Sequence, residues 1–217
     1  AKYDLGLVKD RITPIDSLDR VVGSRDVPAL ATEIAEHAIT LVRDEDKLVP
    51  LKAGTRIFNL AVTNGEDRSW IANPFVSRLN RAGVKVETVV LDERSTEQEV
   101  QKAVERAKSA DLVIASLYGR VRSGQVSSVG IPEAGGQALL QLIGEKKPIV
   151  GISFGNPYLL QGFKGLRTYL VAYGDMPALQ QAAARALLGE IDLVGKLPIS
   201  LPDLYPRGTG IQLRAAK

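Results

Sequence analysis

The stretch Gly151-Ile152-Ser153-Phe154-Gly155-Asn156-Pro157-Tyr158-Leu159-Leu160 decides the fold. Ile149 to Ser153 is a short apolar run of the kind that fills a buried strand. Asn156-Pro157 reads as a helix start: an Asn side chain accepts from a first-turn amide, and the fixed φ of proline suits that turn. Phe154-Gly155 is then a tight elbow at the carboxyl end of a strand, where open α/β sheets place their sites.

On either side of the elbow the sequence alternates strand and helix. Strands are expected at 56–62, 84–90, 112–117, 148–153 and 167–172, with a last extended piece near 199–201. Several are unbroken Val- and Ile-rich runs, as when helices cover both faces of a parallel sheet. Asn73-Pro74 opens a short helix with Phe75 and Leu79 at i, i+4 spacing. Thr96-Glu97-Gln98-Glu99 is a capping box, followed by Val100, Ala103, Val104 and Ala107 on one face. Asp175 is placed to cap a helix carrying Leu179, Ala183, Ala186 and Leu187, which Gly189 ends. An earlier helix from Pro28 to Val42 would put Leu30, Ile34, Ala38 and Leu41 on one stripe. Strand–helix units recur about every thirty residues, the length of a βαβ unit. The expected fold is α/β, a flavodoxin-like three-layer sandwich with a mostly parallel sheet and helices on both faces.

Residues 28–217 read as that domain. Residues 1–27 mix charges with Pro14 and show no clear period, and they read as an interdomain linker or arm. Fixing a residue costs about 1–2 kcal/mol of backbone entropy, so such an arm is ordered only where it packs on something.

Composition narrows the function classes. At 217 residues and 45% hydrophobic, the chain can bury one large core, and no apolar run approaches the roughly 20 residues of a membrane span. No leader pattern opens the sequence, and nothing in it assigns a compartment. With no cysteine there is no disulfide or thiolate metal site, and a single histidine, His37, argues against a histidine-held zinc. No cofactor is expected. The 28 Lys and Arg against 25 Asp and Glu give a net charge of +3, scattered rather than gathered into a stripe. Neither nucleic acid nor a membrane is therefore an expected partner.

Some forty residues beyond the elbow come Gly195-Lys196-Leu197-Pro198-Ile199-Ser200-Leu201-Pro202 and Tyr205-Pro206-Arg207-Gly208-Thr209-Gly210-Ile211. Together with the elbow, these segments resemble the C-terminal α/β sandwich domain of glycoside hydrolase family 3, over about residues 28–217. The resemblance implies a catalytic barrel domain in the same parent chain as partner, a carbohydrate substrate, and an interdomain linker at 1–27. It also implies that the carboxylate nucleophile of a retaining glycosidase belongs to the barrel, so that this chain holds no catalytic residue and is inactive alone.

In the β-glucosidase-like branch of that family, the acid/base Glu comes from the loop after the strand corresponding to 112–117. Here no Asp or Glu occurs from Leu112 through Pro132. The β-N-acetylglucosaminidase branch instead takes a histidine from a barrel loop, and this chain resembles that branch more. His37 lies on the edge of an apolar helix stripe and reads as a packed or boundary histidine.

Three loops follow strand ends and could touch a ligand: 63–73, 118–130 and 154–156. In the first, Asn64, Asp67 and Arg68 offer hydrogen bonds, and Trp70 reads either as a staple on the next helix or as a face for stacking sugars. In the second, Tyr118 and Ser123 flank Arg120 and Arg122, which read either as solvated surface charge or as a fork for an anionic sugar substituent such as the lactyl carboxylate of muramic acid. In the third, Phe154 and Asn156 could be elbow and cap alone.

Two other classes compete. A stand-alone flavodoxin-like module would carry a Gly/Ser/Thr-rich phosphate loop after its first strand, but Thr63-Asn64-Gly65-Glu66-Asp67 puts two acids there. A phospho-receiver would end that strand in an acidic pair, which is missing. A purely structural dimerisation domain is the third possibility.

Overall fold

The computed structural model describes residues 1–9, 15–22, 24, 26–65, 67–124 and 129–216. Two helices, α1 (Ile15–Val21) and α2 (Asp26–Ala38), precede strand β1 (Thr40–Asp44). A regular alternation follows: β2 (Ile57–Thr63), α3 (Asn73–Arg81), β3 (Val86–Leu91), α4 (Glu97–Ser109), β4 (Leu112–Tyr118), α5 (Glu133–Gly144), β5 (Ile149–Ser153), β6 (Thr168–Val171) and α6 (Pro177–Leu187). The strands form one sheet in the order β1-β6-β5-β4-β2-β3, parallel except for β1, which runs antiparallel to β6 at the edge.

Taken without β1, the order is that of a doubly wound sheet whose direction reverses between β2 and β4. One core packs Phe75, Leu79, Ile114, Ala183 and Leu187 beneath α3 and α6; the other packs Phe58, Val100, Val104, Leu139 and Leu142 beneath α4 and α5. This is the expected three-layer α/β sandwich. Strands β2, β4 and β5 are buried along their whole length, which is why they read as continuous apolar runs.

Local signals mostly act as the sequence reads. Thr96 accepts from the Glu99 amide and the Glu99 carboxylate reaches back to the Thr96 amide, a closed capping box worth about 1 kcal/mol. Asn156 caps the 3₁₀ turn Pro157–Gln161 by accepting from the Tyr158 amide at 2.9 Å.

Elsewhere the structure departs from the sequence reading. The first long helix stops at Ala38, and Leu41 and Val42 belong to β1. Its inward residue is Ala35, whereas Leu30 and Ile34 face solvent. His37 is exposed, its ring Nδ1 lying 2.9 Å from the Glu33 carbonyl oxygen. Asp175 does not cap α6, whose N-cap is Met176 with no side-chain bond; its carboxylate is engaged by Arg120. The piece near 199–201 is one isolated bridge, Leu201 to Tyr205, because Pro198 and Pro202 bring no amide donors to a ladder. Helix α5 was not expected.

The C-terminal glycine motif is a packing device. A Cβ on Gly210 would stand 2.2 Å from the Gly195 carbonyl oxygen, and one on Gly195 would stand 2.4 Å from that of Ile39. Three backbones cross here, and only glycine lets them approach. Beside them Arg43 donates to the Tyr205 hydroxyl at 2.6 Å and to the Lys164 and Leu166 carbonyl oxygens at 2.8 Å, tying the tail to β1.

Among the described residues, no helix is long and apolar enough to cross a membrane, and no group of three His, Cys, Asp or Glu could hold a metal ion.

Candidate functional site

The carboxyl ends of β2 and β4 flank the point where the sheet changes direction, and the loop 119–130 leaves from there. Asn64, buried at the end of β2, holds both ends of this loop. Its Nδ2 donates to the carbonyl oxygens of Arg120 at 2.8 Å and Gly130 at 3.2 Å, and its Oδ1 accepts from the Arg120 amide at 3.0 Å. From the end of β5, Asn156 Nδ2 donates to the Val129 carbonyl oxygen at 2.8 Å. Two side-chain amides thus pair both strands of the loop base.

Close backbone approach completes the base. A Cβ on Gly155 would sit 2.4 Å from the Gly119 carbonyl oxygen, so the elbow can be nothing but glycine there. Behind it Tyr118 stacks on Phe154, with ring centroids 4.7 Å apart and planes 8° apart, and Phe154 meets Phe75 edge-on at 5.5 Å. Both Tyr118 and Phe154 are buried. The Tyr118 hydroxyl donates to Gln180 Oε1 at 3.3 Å, and burial pushes its pKa up. Gln180, itself buried, donates onward to the Asp175 carbonyl oxygen at 2.7 Å, linking α6 to the site.

Arg120 spans the loop ends. Its guanidinium donates to both oxygens of Asp67, at 3.3 and 3.1 Å, and its Nε donates to Asp175. Burial works against this cation, but Asp175 and then Asp67 outweigh it and hold its pKa above the ordinary value. Arg122 donates to the Asn64 carbonyl oxygen. Ser123 is exposed at the turn that follows.

The open space lies one strand over. A cleft of about 530 Å³ runs along the carboxyl ends of β4, β5 and β6, walled by Val121, Phe154, Asn156, Tyr158, Tyr173 and Asp175. Tyr173 adopts φ 63°, a left-handed conformation that is costly for a bulky residue, and its hydroxyl donates to Thr40 Oγ1 at 2.9 Å. Asp175 and its neighbour Asp67 are both engaged by Arg120. Among the described residues that wall the cleft, Asp175 is the one carboxylate.

The sequence candidates fall into two groups. Asn64, Tyr118, Arg120, Arg122, Phe154 and Asn156 gather around the loop base. Arg68 and Trp70 stand apart, beside a groove of about 510 Å³ shared with Asp67, Ser69 and Arg94. Trp70 is 71% exposed, so most of its ring faces solvent rather than the next helix. Arg68 pairs with Asp92 at 3.5 Å and with Glu99 at 3.1 Å. Sequence reasoning passed over Tyr158, Tyr173 and Asp175. Tyr158 carries a signal, a large aromatic straight after the capped proline. Tyr173 carries none, because its position depends on the turn after β6.

A family profile described as "Glycosyl hydrolase family 3 C-terminal domain" matches residues 8–209. A β-N-acetylglucosaminidase/β-glucosidase of Cellulomonas fimi is 27% identical over 207 residues, covering 91% of this chain and 36% of that protein. The chain thus spans about a third of the length of that relative. A solved β-glucoside phosphorylase is 26% identical with a TM-score of 0.73, over 90% of this chain and 35% of its own. A family 3 β-N-acetylglucosaminidase from Paenibacillus sp. str. FPU-7 shares the fold with a TM-score of 0.64 at 20% identity, over 79% of this chain and 32% of its own.

Proposed function

Because this chain belongs to the family of glycosyl hydrolase family 3 C-terminal domains, we propose that it is the α/β sandwich of a larger glycoside-cleaving enzyme acting on β-N-acetylglucosaminides, such as cell-wall amino sugars. The catalytic barrel lies outside it, and residues 1–27 are the linker. The observation that carries the reading is the loop 119–130. It is pinned at its base by Asn64, Asn156 and Arg120, free of carboxylates throughout, and set at the carboxyl edge where α/β sheets hold their ligands. Such a loop shapes and orients substrate while the nucleophile and the proton-transfer group come from the other domain. Trp70 and the cleft beside Tyr158 offer the aromatic faces on which sugar rings stack.

A test begins with the isolated chain, which should not hydrolyse aryl N-acetylglucosaminides or aryl glucosides. Rate enhancements of about 8–23 kcal/mol need positioned catalytic groups. The parent enzyme should cleave the first substrate faster than the second. Turnover by the isolated chain that survives repurification overturns the reading, and preference of the parent for glucosides shifts it to the β-glucosidase branch.

One observation favours a second reading, in which the acceptor is phosphate rather than water. The 26% identical relative is a β-glucoside phosphorylase, and the segment from Leu112 to Pro132 brings no carboxylate of its own to repel a phosphate, while Arg120 engages both Asp67 and Asp175. Glycosyl phosphate formed in phosphate buffer, against free sugar in its absence, separates the two.

A further inference from the structure

The six-stranded sheet ends in two edges, β1 and β3, and the two are finished differently. At the β1 edge the register slips between Leu41 and Arg43, and the tail lies alongside: the Ile211 amide donates to the Leu41 carbonyl oxygen at 2.8 Å. A bulge and a covering segment are two of the ways in which proteins blunt an edge. Strand β3 has neither. Its register against β2 runs unbroken from Val86 to Leu91, and it contains no Pro or Gly. Among the described residues no other segment pairs with its outer side. A groove of about 500 Å³ lies beside it, between Thr88, Val89 and Val90 and the residues Ala72, Asn73 and Val76 at the start of α3. The one charge within the strand, Glu87, is engaged by Arg106 of α4. Unpaired edge backbone carrying half-buried valines is a template for a further strand.

What pairs there is set by the charges that flank the strand. Lys85 precedes it and Glu93 follows it; both are exposed, and neither enters an ion pair among the described residues. They lie an even number of positions apart, so in an extended chain they share a face with Val89, midway between them. An antiparallel pair of β3 strands related by a two-fold axis at Val89 brings Lys85 of each copy opposite Glu93 of the other. Glu87 then stands opposite Leu91, and Val89 opposite itself. The neighbouring registers lose this match. Centred on Thr88, Lys85 meets Leu91; centred on Val90, Glu93 meets Glu87. A parallel, in-register pair sets every charge against its like, which is destabilising.

We propose that the outer edge of β3 is an interface between two copies of this chain, which pair antiparallel about Val89 and join their six-stranded sheets into one continuous sheet. Main-chain hydrogen bonds supply the contact, and the two Lys85–Glu93 pairs select the register.

The test is charge reversal in the 217-residue chain, read by sedimentation equilibrium. The unmodified chain should form a dimer with a dissociation constant in the micromolar range. Lys85→Glu or Glu93→Lys alone sets like charges opposite each other at two symmetry-related positions, and either should weaken the dimer roughly ten- to hundredfold. The double variant Lys85→Glu/Glu93→Lys restores opposite charges with the signs exchanged, and should return to within about threefold of the unmodified chain. These substitutions change only exposed side chains, so circular dichroism at dilutions where the unmodified chain is monomeric should be the same for all. In the unmodified chain, dimerisation should slow amide hydrogen exchange within residues 84–92 and leave the β1 edge unchanged. A chain that stays monomeric up to about 1 mM overturns the proposal. So does a dimer indifferent to the single reversals, or one that the double variant does not restore. Unchanged exchange in β3 on dimerisation places the contact elsewhere and overturns it as well; because that measurement needs no variant, it decides the matter even if a substitution disturbs the fold.

Discussion

Asn64 exchanges two hydrogen bonds with the backbone of Arg120, donating to its carbonyl oxygen at 2.8 Å and accepting from its amide at 3.0 Å. A third, to the Gly130 carbonyl oxygen at 3.2 Å, closes the other end of the loop. Replacing Asn64 with Asp keeps the shape and turns a donor into an acceptor facing two carbonyl oxygens. Leaving buried acceptors unpaired costs about 1–3 kcal/mol, so urea unfolding should fall by that amount. Protease cutting within 119–130 should rise as well. Unchanged cutting would mean that Asn64 does not hold the loop.

Two glycines of this region should both destabilise on change to Ala, but for different reasons. At Gly155 the new Cβ meets the Gly119 carbonyl oxygen at 2.4 Å, backbone against backbone, and no rotamer relieves it. Overpacking of that kind costs about 1–3 kcal/mol. At Gly124 there is open space but φ is +74°, so the left-handed backbone alone penalises Ala, by about 1–2 kcal/mol. Gly155→Ala should therefore also disturb the cleft, visible as altered Tyr158 ring signals in NMR, whereas Gly124→Ala should lower the melting temperature without moving them.

Most of the sheet was legible because strands buried on both faces leave continuous apolar runs, as in Ile57–Thr63 and Leu112–Tyr118. Strand β1 was not, because Leu41 and Val42 continue the apolar spacing of α2 and nothing between them marks a break. Helix α5 was hidden by Gly135 and Gly136 in its first turn, poor helix formers by propensity. The reason lies in tertiary packing: a Cβ on Gly135 would stand 2.2 Å from Val62 Cγ1 on β2. The candidate site was half legible. Residue types in loops after strands located Asn64, Arg120 and Asn156, but their engagement with one another follows from which strand ends are neighbours, and that is set by the sheet order.

Acid sensitivity should come partly from two aspartates. Hydrogen bonds and charge from Arg56 hold the Asp111 carboxyl down to about 2. At buried Asp92 burial pushes upward, yet the bonds from Arg94 and the charge of Arg68 leave the carboxyl below its ordinary value. A carboxyl lowered by folding stabilises the native state above its unfolded pKa, near 4, and that stability is lost as pH falls through the folded value. Stability of the unmodified chain should thus decline between about pH 4 and 2. Asp111→Asn should flatten part of that limb while changing little at pH 7, where the exposed pair with Arg56 contributes weakly. An unflattened limb in melting temperature against pH would remove Asp111 from the account.

Arg120 and Arg122 leave the same loop and should separate on substrate type. Arg120 is committed to Asp67 and Asp175, so Arg120→Gln in the parent enzyme should loosen the loop and lower kcat/KM equally on neutral aryl glycosides and on muramic-acid-containing ones. Arg122 lies next to the exposed turn at Ser123 and is only partly buried, which leaves part of its surface within reach of a ligand. Arg122→Gln should weaken the anionic substrates alone. Losing one charge-assisted hydrogen bond costs about 1.5–3 kcal/mol, roughly ten- to hundredfold in kcat/KM. The neutral substrates lack the carboxylate and should change little, provided the bond from Arg122 to the Asn64 carbonyl oxygen is not what orders the loop. Equal losses on both substrates with Arg122→Gln would show that it is, and would reduce both arginines to fasteners of the loop base.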